Sequence, residues 1–265
     1  MISWNENTQT FHLQNGCISY VIVIAHGRYL THSYWGKRLS TWSQGYDYPA
    51  LDRSSFSPTP AGWPDRSFSL DTAPQEYPGH GAGDYREPAF EVRYADGHQV
   101  SNLHYVSHRI IAGKPELTDL PATWVEDDND AETLFITLAD PVTLLEVELS
   151  YTIFRQHPVI TRSATLTNRS KQPLRVLRAL SCNIDLPDAR WQQIQFPGAW
   201  ARERQWHRQP LNPGINVLDS KRGASSTHQQ PFIGLVRPET TEMQGEACGI
   251  HLVYSGNFTA RTEVD

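Results

Sequence analysis

The chain of 265 residues is short of cysteine, of positive charge, of long apolar runs and of helical periodicity. Its three cysteines, Cys17, Cys182 and Cys248, lie far apart, are odd in number and form no CxxC pair. That pattern argues against a secreted disulfide framework and fits a reducing, cytoplasmic compartment. Lysine and arginine total 23 against 29 acidic residues, a net charge of −6, so there is no basic surplus to collect the phosphates of a nucleic acid. No stretch reaches the ~20 consecutive apolar residues of a membrane-spanning helix; the longest, 18–25, is interrupted by Ser19 and Tyr20. The first residues, Met1-Ile2-Ser3-Trp4-Asn5-Glu6, lack the basic and apolar regions of a signal peptide. The expected partners therefore include neither membrane nor nucleic acid.

Metal-binding and nucleophilic motifs are also missing. His104 and His108 are four apart in a strand pattern, where that spacing separates side chains by about 13 Å along one face. There is no HExxH and no Cys–His cluster, so no metal site and no cofactor are expected. Glu126-Asp127-Asp128-Asn129-Asp130 looks like a calcium loop but lacks the glycine at the sixth position and the glutamate at the twelfth, and it reads as a solvated hairpin tip. The glycines of Gly79-His80-Gly81-Ala82-Gly83 have neither strand before them nor helix after them, as a phosphate loop requires. Ser225, Ser226 and His228 share one loop without a GxSxG elbow or an orienting acid, which argues for a polar scaffold rather than a triad.

What the chain does have is strand signal. Leu145, Val147, Leu149, Tyr151 and Ile153 alternate with Glu146, Glu148, Ser150 and Thr152, the mark of a half-buried strand, and a partner is expected over 158–168. Further β-branched and aromatic runs fall at 10–13, 17–24, 29–34, 89–94, 103–111, 134–138, 174–183, 192–196, 199–207, 232–236 and 247–254. Asn15-Gly16 and Asp96-Gly97 mark hairpin turns. The expected fold is all-β, with two large antiparallel sheets packed face to face as one domain over 1–265.

One segment, 36–88, breaks this pattern with Pro49, Pro58, Pro60, Pro64, Pro74, Pro78 and Pro88. A connection so long is normally functional or disordered, and its Trp42, Tyr46, Phe56, Trp63, Phe68 and Tyr77, with Trp35 just before it, supply enough apolar surface to dock it in order. Eight tryptophans serve either wide sheet-on-sheet cores or the faces of sugars. Within the segment, prolines stiffen the chain and rings can cover a ligand face, while Asp52 or Arg66 can hydrogen-bond hydroxyls; equally, Asp52 and Arg53 can cap or pair locally.

Two groups of short blocks point further. The first runs through Tyr48-Pro49-Ala50-Leu51-Asp52-Arg53-Ser54-Ser55-Phe56-Ser57-Pro58, Arg66-Ser67-Phe68-Ser69-Leu70-Asp71-Thr72, Pro74-Gln75-Glu76-Tyr77-Pro78-Gly79 and Gly83-Asp84-Tyr85-Arg86. The second opens at Arg222-Gly223, passes Gln230-Pro231-Phe232 and closes on Leu252-Val253-Tyr254-Ser255-Gly256-Asn257-Phe258. In content and order these blocks resemble the amino-terminal β-supersandwich of family 36 glycoside hydrolases, the bacterial α-galactosidases acting on raffinose and melibiose. The resemblance implies a galactose-mutarotase-like supersandwich ahead of a catalytic (β/α)8 barrel of about 250 residues.

The family's Lys-Trp-Asp nucleophile motif does not occur here, so no catalytic residue is expected in this chain, which reads as the front part of a longer enzyme. The resemblance also implies a homotetramer in which the segment corresponding to 36–88 reaches an active-site mouth, of its own or a neighbouring subunit. Asp52 falls on the family's Asp-Arg pair and is the first substrate-binding candidate, with Arg53 beside it; Arg66 follows, then Trp63 in a variable stretch. The alternatives are an autonomous carbohydrate-binding module and a purely structural assembly domain.

Overall fold

Alternating apolar side chains on short β-branched runs have one stable outcome, pleated strands that bury the apolar row against a second sheet. The computed structural model describes residues 1–48, 58–60, 62–64, 66–225 and 227–265. These form two compact units, one of residues 1–115 and 124–185 and one of 116–123 and 186–265. The described residues include no α-helix, only a single 3-10 turn at Asp128–Asp130, and no catalytic barrel.

The first unit has ten strands: β1 (Ile2–Asn5), β2 (Thr10–Gln14), β3 (Ile18–Ala25), β4 (Tyr29–Lys37), β5 (Phe90–Arg93), β6 (His104–Ala112), β7 (Ala131–Ala139), β8 (Leu145–Phe154), β9 (Ile160–Asn168) and β10 (Arg175–Ala179). They form two four-stranded antiparallel meanders, β1-β2-β3-β4 and β6-β7-β8-β9, and a β10-β5 pair. The expected alternation on β8 holds: Leu145, Val147, Leu149, Tyr151 and Ile153 all point into the core, where they meet Leu134, Ile136 and Leu138 of β7 and Phe11, Leu13, Tyr20, Ile22 and Ile24 of β2 and β3. Burial of each such side chain contributes about 1.5–3 kcal/mol, so this face dominates the stability of the unit.

The sheet β1–β4 is covered on its other face too, which is why β3 is buried on both faces from Ser19 to Ala25 and runs apolar without alternation from Val21 to Ala25. The cover is the described part of 36–88. Phe68, Leu70 and Ala73 pack with Ala25 and Tyr29, and the Tyr29 and Phe68 rings stack at 5.6 Å. Residues 74–76 then add to the edge of β4, with His32 N–H donating to Pro74 O at 2.6 Å and Glu76 N–H to Leu30 O at 3.0 Å. The expected ordered excursion is observed for these residues.

The second unit contains β11 (Gln192–Gln195), β12 (His207–Pro210), β13 (Gly214–Ser220), β14 (Phe232–Val236), β15 (Ala247–His251) and β16 (Phe258–Val264). Its sheet runs β12-β11-β14-β15, β13 pairs with β16, and Trp191, Leu218, Ile233, Leu235 and Phe258 form its core. The chain is thus all-β as expected, but its sheets are smaller and more numerous than two large ones.

Of three further expectations, one is met and two are corrected. The strand expected over 199–207 is a turn up to residue 206: Ala199 and Arg202 bond each other's backbone, and Ala201 and Arg204 take φ of 61° and 51°, a geometry closed to extended chain. The Asn15-Gly16 turn joins β2 to β3 as a hairpin, as expected; neither residue takes positive φ, and the Asn15 carboxamide oxygen accepts from Cys17 N–H at 2.7 Å and Ile18 N–H at 2.9 Å. Asp96-Gly97 does turn, with Gly97 at φ 94°, but joins no pair of adjacent strands.

Candidate functional site

The densest polar cluster of the first unit is built around a glutamate carried by the excursion. Glu76 is fully buried, and each of its carboxylate oxygens has two partners. Oε1 accepts from Tyr20 Oη at 2.8 Å and faces His32 Nδ1 at 3.0 Å. Oε2 accepts from Tyr151 Oη at 2.8 Å and pairs with Arg162 Nη2 at 2.8 Å. The strands explain the convergence: Tyr20 on β3, His32 on β4, Tyr151 on β8 and Arg162 on β9 all point inward where the two meanders face each other.

Burial alone would raise the Glu76 carboxyl. The Arg162 charge and the hydrogen bonds from His32 and Tyr20 outweigh it and hold the group below its ordinary range. Burial and the adjacent carboxylate push the Tyr20 and Tyr151 phenols well up, so both stay protonated as donors. The guanidinium of Arg162 is also committed: it donates to Asn183 O at 2.8 Å, Tyr20 Oη at 3.1 Å and Tyr151 Oη at 3.2 Å.

A second cluster locks the next turn of the excursion. Arg86 forks over two acids, with Nε and Nη2 on Asp84 at 2.9 Å and 2.8 Å and Nη1 on Asp185 at 2.8 Å, and its Nη2 also reaches Ala73 O at 2.7 Å. Asn183 joins the clusters by donating to Gln75 O at 2.9 Å and Asp185 Oδ1 at 3.1 Å. Two carboxylates that share one guanidinium leave no room for a sugar between them, so neither can serve as the free nucleophile of a glycosidase. A nearby cavity lined by Leu30, Leu70, Gln75, Tyr77, Asn102 and Leu138 measures about 20 Å³, room for a water molecule but not for a monosaccharide.

Of the four substrate-binding candidates, Asp52 and Arg53 lie outside the described residues. Arg66 is exposed and makes no hydrogen bond or ion pair with any described residue. Trp63 is half-buried, its ring against His26 at 4.6 Å and Phe68 at 5.0 Å, at the margin of the aromatic cluster that docks the excursion. Trp63 and Arg66 thus share one arm, the first anchored by its ring and the second turned to solvent.

The loop of Ser225 and His228 folds on itself as a scaffold. Ser225 Oγ donates to Tyr254 O at 2.8 Å, Gly223 N–H to Asn257 Oδ1 at 2.7 Å, and His228 O accepts from Gly198 N–H at 2.9 Å; Ser226 lies outside the described residues. Among the described residues no three His, Cys, Asp or Glu side chains converge as metal ligands. His108 packs against Trp4 and Phe11 at 4.8 Å each, and burial lowers its pKa.

The buried acids of this β-sandwich are thus all engaged, Glu76 and Asp84 by cations and polar side chains and Asp140 by the backbone N–H groups of Asn102, Val142 and Thr143. Residues 28–265 match the family model described as the glycosyl hydrolase family 36 N-terminal domain. The chain belongs to glycoside hydrolase family 36. It is 48% identical over 264 residues to alpha-galactosidase AgaA of Geobacillus stearothermophilus, covering 100% of this chain and 36% of that protein. Alpha-galactosidase AgaB of the same organism superposes with a TM-score of 0.94 at 48% identity, over 100% of this chain and 36% of its own. An AgaA variant in complex with raffinose gives 0.93 at 48% identity, over 97% and 35%. The chain thus spans little more than a third of the length of these relatives. No described helix is long and apolar enough to cross a membrane.

Proposed function

We propose that this chain is the amino-terminal domain of a retaining α-galactosidase that releases terminal α-linked galactose from melibiose- and raffinose-type oligosaccharides. The observation that carries the reading is similarity over the whole chain, in sequence and in fold at once, to proteins named as alpha-galactosidases. A retaining mechanism needs two carboxyl groups about 5–5.5 Å apart, one free to attack and one free to exchange a proton. The buried acids described above are not free in that sense, which supports assigning the chemistry to a further part of the protein.

The domain's own share is to support that part, to provide contacts in a homo-oligomer and to bring Asp52, Arg53, Trp63 and Arg66 to one wall of the sugar pocket. An anchored ring beside an exposed guanidinium suits such a wall, since the ring covers the apolar face of a pyranose and the cation meets its hydroxyls. The three free thiols support a reducing, cytoplasmic setting. The test is hydrolysis of a chromogenic α-galactoside by the protein encoded by the longer reading frame and by the 265-residue chain. Turnover by the first and none by the second is expected; turnover by neither overturns the reading.

A further inference from the structure

The arm that carries Trp63 and Arg66 returns to the sheets through a turn that closes on one side chain, Arg86. Besides its fork on Asp84 and Asp185, Arg86 Nη2 donates to Leu70 O at 3.2 Å and to Ala73 O at 2.7 Å. These two carbonyls belong to a single turn, in which Ser69 O accepts from Thr72 N–H at 3.3 Å and from Ala73 N–H at 3.1 Å. Asp71 N–H closes the same turn on Ser69 Oγ at 3.2 Å, and Asp71 Oδ1 accepts from Tyr85 N–H at 3.3 Å, beside Arg86. The Arg86 side chain is only 22% exposed.

The turn stands between a fixed point and the arm. On the fixed side, Asp185 Oδ1 accepts from Asn183 Nδ2 at 3.1 Å, and Asn183 O accepts from Arg162 at 2.8 Å, so the anchor of Arg86 is tied to the buried Glu76 cluster. On the other side, Leu70 and Ala73 pack with Phe68 in one small core. The Phe68 ring in turn meets Tyr29 at 5.6 Å and Trp63 at 5.0 Å, with Arg66 two residues before it in the chain. A continuous line of contacts therefore runs from the Glu76 cluster through Asp185, Arg86 and the turn to the Trp63 ring.

A buried ion pair adds little net stability, because desolvation offsets the attraction. What the planar guanidinium adds is direction: its donors meet two carboxylates and two carbonyls at once, which an ammonium on a flexible stem does not reproduce. Groups that bind a ligand have to be held within about 0.5 Å of the productive geometry by the residues behind them. We propose that Arg86 is a positioning residue for sugar binding: without touching substrate itself, its fork fixes the turn that presents Trp63 and Arg66. This rests on the pocket wall of the proposed function and names the residue that holds that wall in place.

Arg86→Lys tests it in an enzyme carrying this chain, since lysine keeps the charge between Asp84 and Asp185 and removes the fork. Hydrogen–deuterium exchange over residues 60–73, read by mass spectrometry, is expected to quicken about tenfold or more, with exchange in β7 and β8 unchanged. The KM for raffinose is expected to rise about tenfold with kcat within about twofold of wild type, as for lost binding that ground and transition states share. Asp185→Asn loosens the anchor from the other side and should move both readouts the same way, though less, so the test survives if Arg86→Lys does not fold. Wild-type exchange over 60–73 in both variants, or faster exchange with an unchanged KM, overturns the proposal. A kcat that falls together with faster exchange in β7 and β8 marks a general loss of fold and overturns it as well. A wild-type enzyme that turns over no α-galactoside overturns the proposed function instead, and exchange in the variants then decides alone whether Arg86 holds the arm.

Discussion

Replacing Glu76 with glutamine is the sharpest test of the buried cluster. The substitution keeps the shape, removes the charge and turns one acceptor oxygen into a donor that faces a donor, either a phenol or the guanidinium. Arg162, with a side chain only 9% exposed, is left without its counter-charge. Removing one partner of a buried ion pair costs about 3–5 kcal/mol, because the remaining charge stays desolvated. For a unit of this size about 2–4 °C of melting temperature goes with each kcal/mol, so a drop of about 6–20 °C is expected by scanning calorimetry. Arg162→Met should fall in the same range, and the double variant should lose less than the sum of the two, with a coupling of about 1 kcal/mol or more.

The pH dependence gives a second, independent readout. The folded-state pKa of Glu76 lies below its ordinary value, so its contribution is fully present above the unfolded value of about 4.3 and is lost as pH falls through the folded one. The melting gap between wild type and Glu76→Gln should stay level from neutral pH down to about 5 and narrow below about 4.3. A variant that melts within about 2 °C of wild type at neutral pH, against the slope used above, would refute the claim that this cluster pins the excursion.

Two further outcomes follow from the second unit and the arm. Gly198→Ala puts a methyl group against backbone atoms that cannot swing away, and should cost about 1–3 kcal/mol in urea unfolding; an unchanged midpoint would mean that the backbone there relaxes freely. On the proposed function, Asp52→Ala in an enzyme carrying this chain should lower kcat/KM for raffinose about tenfold or more, whereas Trp63→Ala should lower both kcat/KM and the melting temperature, since its ring also packs on His26 and Phe68. Unchanged kinetics in Asp52→Ala would remove that residue from the pocket wall.

Legibility from sequence follows burial. Where one face of a strand is buried and the other wet, as on β8, the period of two names the core residues directly. β1, β13 and β16 give no such signal: β1 is four residues long, and β13 and β16 carry mixed apolar and polar side chains on both faces, with Ile215 and Val217 about half exposed. The strand signal at 199–207 comes from aromatic and apolar content that faces water on a tight loop. Of the candidate site, the aromatic docking of the excursion is readable from its rings, whereas the Glu76 cluster is not, because its members lie as far apart in sequence as Tyr20 and Arg162.

One signal could have found that cluster. Ile160, Arg162, Ala164 and Leu166 share one face of β9, and Ile160, Ala164 and Leu166 pack against the core. An arginine in an apolar row must meet an anion or be expelled, since a lone buried cation is too costly to keep. The sequence offers Glu76 in Pro74-Gln75-Glu76-Tyr77-Pro78, a glutamate held between two prolines in the one segment that has to dock on the sheets. Pairing the misplaced cation with that anion would have suggested a link between β9 and the excursion, which the structure supplies. The same logic separates this cluster from a catalytic pair: a charge whose partners saturate it on every side fixes the position of a chain, while a reacting carboxylate has to keep one side open for the substrate.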